Sequence, residues 1–359
     1  MRKIKNAVAV AAVTMISSEA FSQELPLSVQ SQINFSKAGL LRSFYESDQY
    51  GSVQWRIGQA RSTIGGAKSP SAPQNGYSDK TTDSVIPIKV LHSLSGGNSD
   101  LLFGIKGTFP NGYGNQNTLD GEIYRLDAEY LHYIDTDTML GIGAFYEASD
   151  LNSSGIASSD IESKGGGIRV DAIRKFSAHW GMAARAEYYW GTTKVTNPIT
   201  SSFSLIHKQG DDHIYTQAEL IGQYRQDDTG VIPVGWVLHP ALGIQYQHNY
   251  LESTANNLGV ISSGVVGDSE EYGTWWTHLR LEKETSPGEW TPTFLLGYER
   301  EYVNNLDKYV QEPSYGVVGT GISMLTQGGM RVGVEYSRHQ GFNGNRINSA
   351  LLGTLNFRF

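Results

Sequence analysis

Cysteine is absent from all 359 residues. An exported chain without it has no disulfide framework, so stability must come from a closed hydrogen-bond ladder or a packed core. Long apolar runs are absent too. Beyond the N-terminal residues no segment approaches the roughly 18 consecutive apolar residues of a membrane helix, which excludes helical spans. Positive charge is in short supply: 28 Lys and Arg stand against 36 Asp and Glu, a net charge of −8. That balance argues against nucleic acid as a partner and is otherwise a mild statement about solubility. Mean hydropathy is −0.33 and charged residues make up 18%. A helical membrane protein would not be so polar, but a membrane barrel tolerates it, because only every second strand residue meets lipid. Glycine (41) and tyrosine (20) are plentiful.

Residues 1–22 read as a secretory signal. Arg2, Lys3 and Lys5 make a basic start, an apolar stretch runs from Ala7 to Ile16, and Ala20-Phe21-Ser22 places small residues where a signal peptidase reads. Cleavage is expected before Gln23. A membrane helix is the weaker reading, since about ten apolar residues cannot cross a core that needs about twenty.

The other end of the chain is an aromatic, Phe359, closing a segment of period two. Phe359, Phe357, Leu355, Gly353 and Leu351 fall on one face, and Arg358, Asn356, Thr354 and Leu352 on the other. Termini in water fray and tend to be polar, whereas a membrane β-strand is written as this alternation. The same pattern recurs upstream. Tyr124, Leu126, Ala128 and Tyr130 alternate with Arg125, Asp127 and Glu129; Trp275, Leu279 and Leu281 oppose Thr274, His278, Arg280 and Glu282. A soluble exported sandwich would show a similar alternation. The signal segment, the terminal Phe, the strand lengths and the Tyr and Trp near strand ends favour a membrane barrel with aromatic girdles.

Candidate strands fall near 50–62, 83–94, 99–109, 121–134, 137–149, 163–176, 178–192, 212–226, 235–252, 271–284, 289–302, 314–326, 329–339 and 348–359. Links between them alternate short and long. Short ones such as Ser95-Gly96-Gly97-Asn98 and Gln327-Gly328 have hairpin chemistry. Long ones near 63–82, 110–120, 150–162, 193–211, 253–270, 303–313 and 340–347 are rich in Ser, Gly, Asn and Asp. The expected fold is all-β: an up-and-down antiparallel transmembrane β-barrel of about 12–14 strands over residues 49–359, with an even count and both ends at the short periplasmic turns. Residues 23–48 form a leader or plug segment. Ser36 is placed to cap a short amphipathic helix through Leu40, Leu41, Phe44 and Tyr45, plugging the pore or lying in the periplasm. A loosely ordered leader is the other reading.

From about Ser99 to Phe359 the order of features resembles the autotransporter β-domain, the roughly twelve-stranded translocator of type V secretion. The residues that carry this are Trp236 to Tyr250 (WVLHPALGIQYQHNY), Tyr272-Gly273 before Trp275, Trp276, Leu279 and Arg280, and Trp290-Thr291-Pro292 leading into Phe294, Leu295, Gly297 and Tyr298. A final hairpin with Gly328, Arg331, Val332, Gly333 and Tyr336 and the ending LLGTLNFRF complete the order. The resemblance implies the outer membrane of a Gram-negative bacterium, lipid as the surrounding partner, and the barrel-assembly machinery and periplasmic chaperones during biogenesis. It also implies an assembly signal in Leu355, Phe357 and Phe359. An autotransporter carries a long passenger ahead of its barrel. Here about 75 residues separate Gln23 from Ser99, and two candidate strands lie among them, so a solitary barrel widened by one hairpin is expected.

The predicted inward set is Arg125, Asp127, Glu129, Arg169, Asp171, Arg185, Glu187, Glu219, Arg225, His239, Arg280, Glu282, Glu299, Arg331, Glu335 and Arg358. Charges in a lumen need water or partners. One reading is a hydrated pore of weak selectivity because both signs occur; the other is a lumen closed by mutual neutralisation. Catalytic patterns are weak. Asp211-Asp212-His213 would need an acidic partner at the same rim, but Asp135-Thr136-Asp137 falls in a short turn, and His92-Ser93 lies at the short-turn end of its strand. No metal or cofactor is expected, since the histidines are scattered. A pore or translocator is therefore the first expectation. The alternative is a surface barrel whose outer loops bind a ligand that the sequence does not name.

Overall fold

The computed structural model describes residues 25–42, 45, 79–114, 117–155, 158–262, 269–305 and 312–358. In chain order the elements are α1 (Leu27–Lys37), β1 (Asp79–Ser93), β2 (Ser99–Gly114), β3 (Asn117–Asp135), β4 (Thr138–Gly155), β5 (Ser159–Lys175), β6 (Trp180–Thr200) and β7 (Phe203–Gly222). They continue with the short helix α2 (Gln226–Thr229), β8 (Trp236–Leu251), β9 (Thr254–Ala255), β10 (Ile261–Ser262), β11 (Ser269–Lys283), β12 (Trp290–Asn304), β13 (Ser314–Leu325), β14 (Arg331–Gly341) and β15 (Arg346–Arg358). β9 and β10 pair only with each other; the rest of the strands close into one barrel.

Among the described residues the wall has thirteen strands, within the expected range but not even. Neighbours are antiparallel all the way from β1 to β15, and β15 then pairs with β1 in parallel. The parity dictates this: with an odd number of alternating strands, the first and last point the same way. The candidate strand at 50–62 lies outside the described residues. Each of the other candidate strands has its counterpart in the wall.

Period-two alternation sets which face is which. Ile142 is 62% exposed and Leu296 61%, whereas Arg125 is 3% and Asp171 0%. Apolar side chains outside and charged ones inside invert the pattern of a soluble protein. Exposed apolar area on this scale needs a hydrocarbon surround, and among the described residues every wall strand is paired on both sides. The chain is a transmembrane β-barrel.

Several predicted loops prove to be strand. β6 and β7, of 21 and 20 residues, exceed the roughly 9–11 residues that cross a bilayer, so their hairpin projects well beyond the apolar band. Polar Ser, Thr and Asn continue the ladder there because paired backbone, not side-chain hydropathy, holds it. The β9–β10 pair leans on this hairpin: Asn257 Nδ2 donates to the Ser204 carbonyl at 2.8 Å and Thr254 Oγ1 to that of Lys208 at 2.6 Å.

Inside, one close approach depends on a missing side chain. Trp276, 1% exposed, lies across Gly243; a Cβ at 243 would stand 2.1 Å from the indole. Glycine here is required by packing, not by backbone conformation.

Candidate functional site

The site is the barrel lumen with the N-terminal segment seated in it. Pro26 precedes α1, and Gly39, at φ +76°, ends it in the left-handed conformation that glycine adopts without strain. The helix therefore starts well ahead of Ser36, which lies in its last turn and does not cap it. Leu40, Leu41 and Arg42 resume a helical turn, and Phe44 lies outside the described residues. Ser28, Ser31 and Phe35 share the buried face. Small serines on this face let the helix lie close to the wall's turns, which explains why amphipathic spacing did not reveal it.

The helix docks at the short-turn end of the bore. Ser28 N donates to the Gly97 carbonyl at 2.7 Å and Ser31 Oγ to that of Asp135 at 2.9 Å. Asn34 Nδ2 reaches the Thr136 carbonyl at 3.0 Å and Asp137 Oδ1 at 2.6 Å, while Lys175 Nζ donates to Asn34 Oδ1 at 3.0 Å. The Asp135–Asp137 turn thus receives the helix. Below these bonds Phe35 and Leu40, both fully buried, pack into a pit of Leu102, Leu131, Tyr133, Met139, Ile173, Ala183 and Ile221. Burial of this kind contributes about 1.5–3 kcal/mol per large side chain. Strand alternation alone predicts a polar lumen throughout, and this pit departs from it. Its signal was present: at the strand ends Leu131, Tyr133 and Met139 are apolar on the face that is charged higher up.

Above the pit the wall carries a layer of ions on β3 to β6. Arg125 grips Glu187 with two bonds, 3.0 and 2.7 Å, and donates to Asp127 at 3.0 Å. Arg169 bridges Asp127 at 2.8 Å and Glu129 at 2.6 Å. Arg185 forms a fork with Asp171, 2.8 and 2.7 Å. Forked guanidinium–carboxylate pairs are the strongest class of such bonds. This part of the predicted set is one network that ties β3 to β5 and β6 across the inside of the wall.

The N-terminal segment joins both walls. Arg42 pairs with Glu282 at 2.6 Å and Glu335 at 3.5 Å, and Arg280 also takes Glu335 at 2.9 Å. On the opposite side Tyr45 Oη lies 3.5 Å from Glu129 Oε1, and Lys89 Nζ donates to the Tyr45 carbonyl. Burial, with the Glu129 carboxylate adding to it, holds the Tyr45 phenol well above its ordinary range, so it remains a neutral donor. Gly39 sits against His239; a Cβ there would fall 2.7 Å from the imidazole Nδ1. Glu219 accepts from Gln217, and Glu299 pairs with His339 at 3.2 Å. Arg331 and Arg358 border a cavity beside the segment.

One predicted lumen residue is misplaced. β7 ends at Gly222, so Arg225 is not in the wall: it stands before α2 and pairs with Glu284 of the next turn at 2.7 Å. Alternation in the sequence continues past the last ladder bond, and so predicts strand through Arg225. Leu355 and Phe357 hold alternate, partly exposed positions on β15; Phe359 lies outside the described residues. Asp211 and His213 are buried near the long-loop end of β7, where Asp211 takes the Thr193 hydroxyl at 2.5 Å. Asp135 is at the other end of the barrel. Among the described residues no three His, Asp or Glu side chains converge as metal ligands.

A closed barrel with an apolar exterior, an ion-bonded interior and a helix held in its bore defines a transmembrane barrel with an occupied lumen. Its fold is that of the autotransporter β-domain. The translocator domain of the autotransporter NalP from Neisseria meningitidis matches with a TM-score of 0.51 and 10% identity, over 84% of this chain and 94% of that one. The transport unit of the autotransporter AIDA-I from Escherichia coli gives 0.49 and 13% over 85% and 96%; the β-domain of the Bordetella autotransporter BrkA gives 0.49 and 11% over 69% and 94%. At such identity the NalP likeness is one of fold alone. No protein-family model matches the chain. No curated protein matches it either.

Proposed function

We propose that the chain is an outer-membrane barrel of a Gram-negative bacterium that acts as a pore or translocator, with α1 as the closure of its lumen. The observation that carries this reading is the seat of α1, fixed by hydrogen bonds to two short turns and to the end of β5, and by Phe35 and the adjoining Leu40 in the apolar pit. Export through a cleaved signal of residues 1–22, assembly directed by the terminal Leu355, Phe357 and Phe359, and help from chaperones and the barrel-assembly machinery belong to the same proposal. The inward charges would then set how ions pass once the helix leaves.

The test is conductance in planar bilayers for the mature chain and for the chain lacking residues 23–48. Steps that appear only after the deletion identify α1 as the closure. Absence of channels in both forms defeats the pore reading. A second reading, surface binding by the outer loops, is favoured by the projecting β6–β7 hairpin with Ile199 and Phe203 exposed at its tip. Exposed apolar side chains beyond a membrane mark interaction sites. Trimming this hairpin should lower whole-cell adhesion if that reading holds.

A further inference from the structure

The strand pair that closes the barrel differs from every other pair in the described wall. β1 and β15 run parallel, a geometry slightly weaker per residue than antiparallel pairing. Their ladder is also interrupted. Pairing runs from Asp79 with Arg346 to Val85 with Leu352, and resumes at Ile88 with Leu355. Ile86 and Pro87 are left out, as are Gly353 and Thr354 opposite them. Pro87 has no N–H to give. Gly353 has no side chain to cover the opening, and even a Cβ there would meet nothing nearer than the Val85 carbonyl at 3.8 Å.

Behind this stretch lies a cavity of about 540 Å³, within the range of small-ligand sites, roughly 300–1,000 Å³. On the long-loop side of the interruption Val85, Leu352, Ala350 and Leu295 give its lining an apolar strip, beside the polar Asp83, Ser337, His339 and Asn348. On the short-turn side three strands bring cations together. Arg331 of β14 is in register with Asn356 of β15, Asn356 is in register with Lys89 of β1, and Arg358 follows two residues along β15. Arg358 Nη2 is a buried donor with no hydrogen-bond partner among the described residues. A buried donor of this kind calls for an acceptor. Four carboxylates line the same cavity, Asp83, Glu219, Glu282 and Glu335; Glu335 is held by Arg280 at 2.9 Å, Glu282 by Arg42 at 2.6 Å, and Glu219 accepts from Gln217.

We propose that this cavity binds a single-chain anionic amphiphile and that the β1–β15 seam is the portal through which it exchanges with the bilayer. The anionic head, carboxylate or phosphate, lies on Lys89, Arg331 and Arg358. The acyl tail runs along Val85, Leu352, Ala350 and Leu295. An amphiphile placed this way keeps the orientation it has in the leaflet on the short-turn side, head toward water and tail toward the midplane. Passage through the seam then needs no inversion. The proposal rests on the membrane setting argued above, but not on conduction through the bore.

The absence of cysteine makes the test clean. The full chain is reconstituted in nanodiscs, with heat-modifiable gel mobility reporting a folded barrel, so a failure of the membrane reading is seen first and separately. Binding of a dansylated fatty acid is followed by fluorescence. Palmitate should displace it, while hexadecanol and dodecyltrimethylammonium should not. Lysophosphatidate as a second competitor distinguishes a phosphate head from a carboxylate. Arg358→Gln should weaken binding about tenfold, roughly 1.4 kcal/mol. Retention of full affinity, or equal displacement by hexadecanol, overturns the site. For the portal, S84C/L351C places a disulfide on the outer face of the seam, at residues in register. Its oxidised form should slow ligand entry at least tenfold and recover on reduction. L296C/V318C, across β12 and β13, should have no effect. Unchanged entry with the seam locked overturns the portal while leaving the site standing.

Discussion

Trp276 has its place only because position 243 carries no side chain. Gly243→Ala would drive a methyl into the indole, and overpacking of this kind costs about 1–3 kcal/mol. The expected outcome is a lower temperature for loss of heat-modifiable gel mobility, with partial recovery in Gly243→Ala/Trp276→Leu. Arg185 and Asp171 make the second residue-scale case. The Asp171 side chain is fully buried and its fork with Arg185 measures 2.8 and 2.7 Å. Arg185→Leu leaves that carboxylate beside Arg169 alone, and loss of one partner of a buried pair costs about 3–5 kcal/mol. Urea unfolding should show the midpoint falling in the single variant, and largely returning in Arg185→Leu/Asp171→Leu. A midpoint unmoved by Arg185→Leu would mean that water screens the network.

At the scale of elements, α1 and β15 carry opposite tasks. α1 is held by a few polar bonds and two buried anchors, so charging an anchor should free it. Phe35→Asp puts a carboxylate into the apolar pit, and the expected outcome is conductance in planar bilayers without loss of folded barrel. Silence in that assay, with the helix shown to be released by protease sensitivity near residue 35, would separate plug from pore. β15 bonds to β14 on one side and β1 on the other, so the barrel closes only when it is in place. Deletion of Phe359 should reduce the folded fraction in the membrane and leave the stability of the barrels that do form unchanged. Much at this scale was legible in the sequence: the strands from 83–94 onward follow from period two, because each strand carries its own in–out code. Two things were not. The helix start was hidden by serines on its buried face, and the long hairpins read as loops because their polar tips look the same whether or not the backbone is paired.

For the whole molecule the outer surface sets the solvent. Side chains such as Ile142 and Leu296 face outward around the wall, so the chain diluted from urea should regain a heat-modifiable barrel only when detergent or lipid is present. A monodisperse folded form in plain buffer would contradict the transmembrane assignment. By itself the sequence determined the fold class, the two faces of each strand and the absence of any helical span, because these are properties of local spacing and composition. Only the tertiary structure decided the odd strand count with its parallel closure, the pairing of inward charges, and the seating of α1. Those depend on which residues meet across the bore. Arg42 reaches Glu282, and Arg280 reaches Glu335, through a geometry that exists only once the sheet has closed on itself.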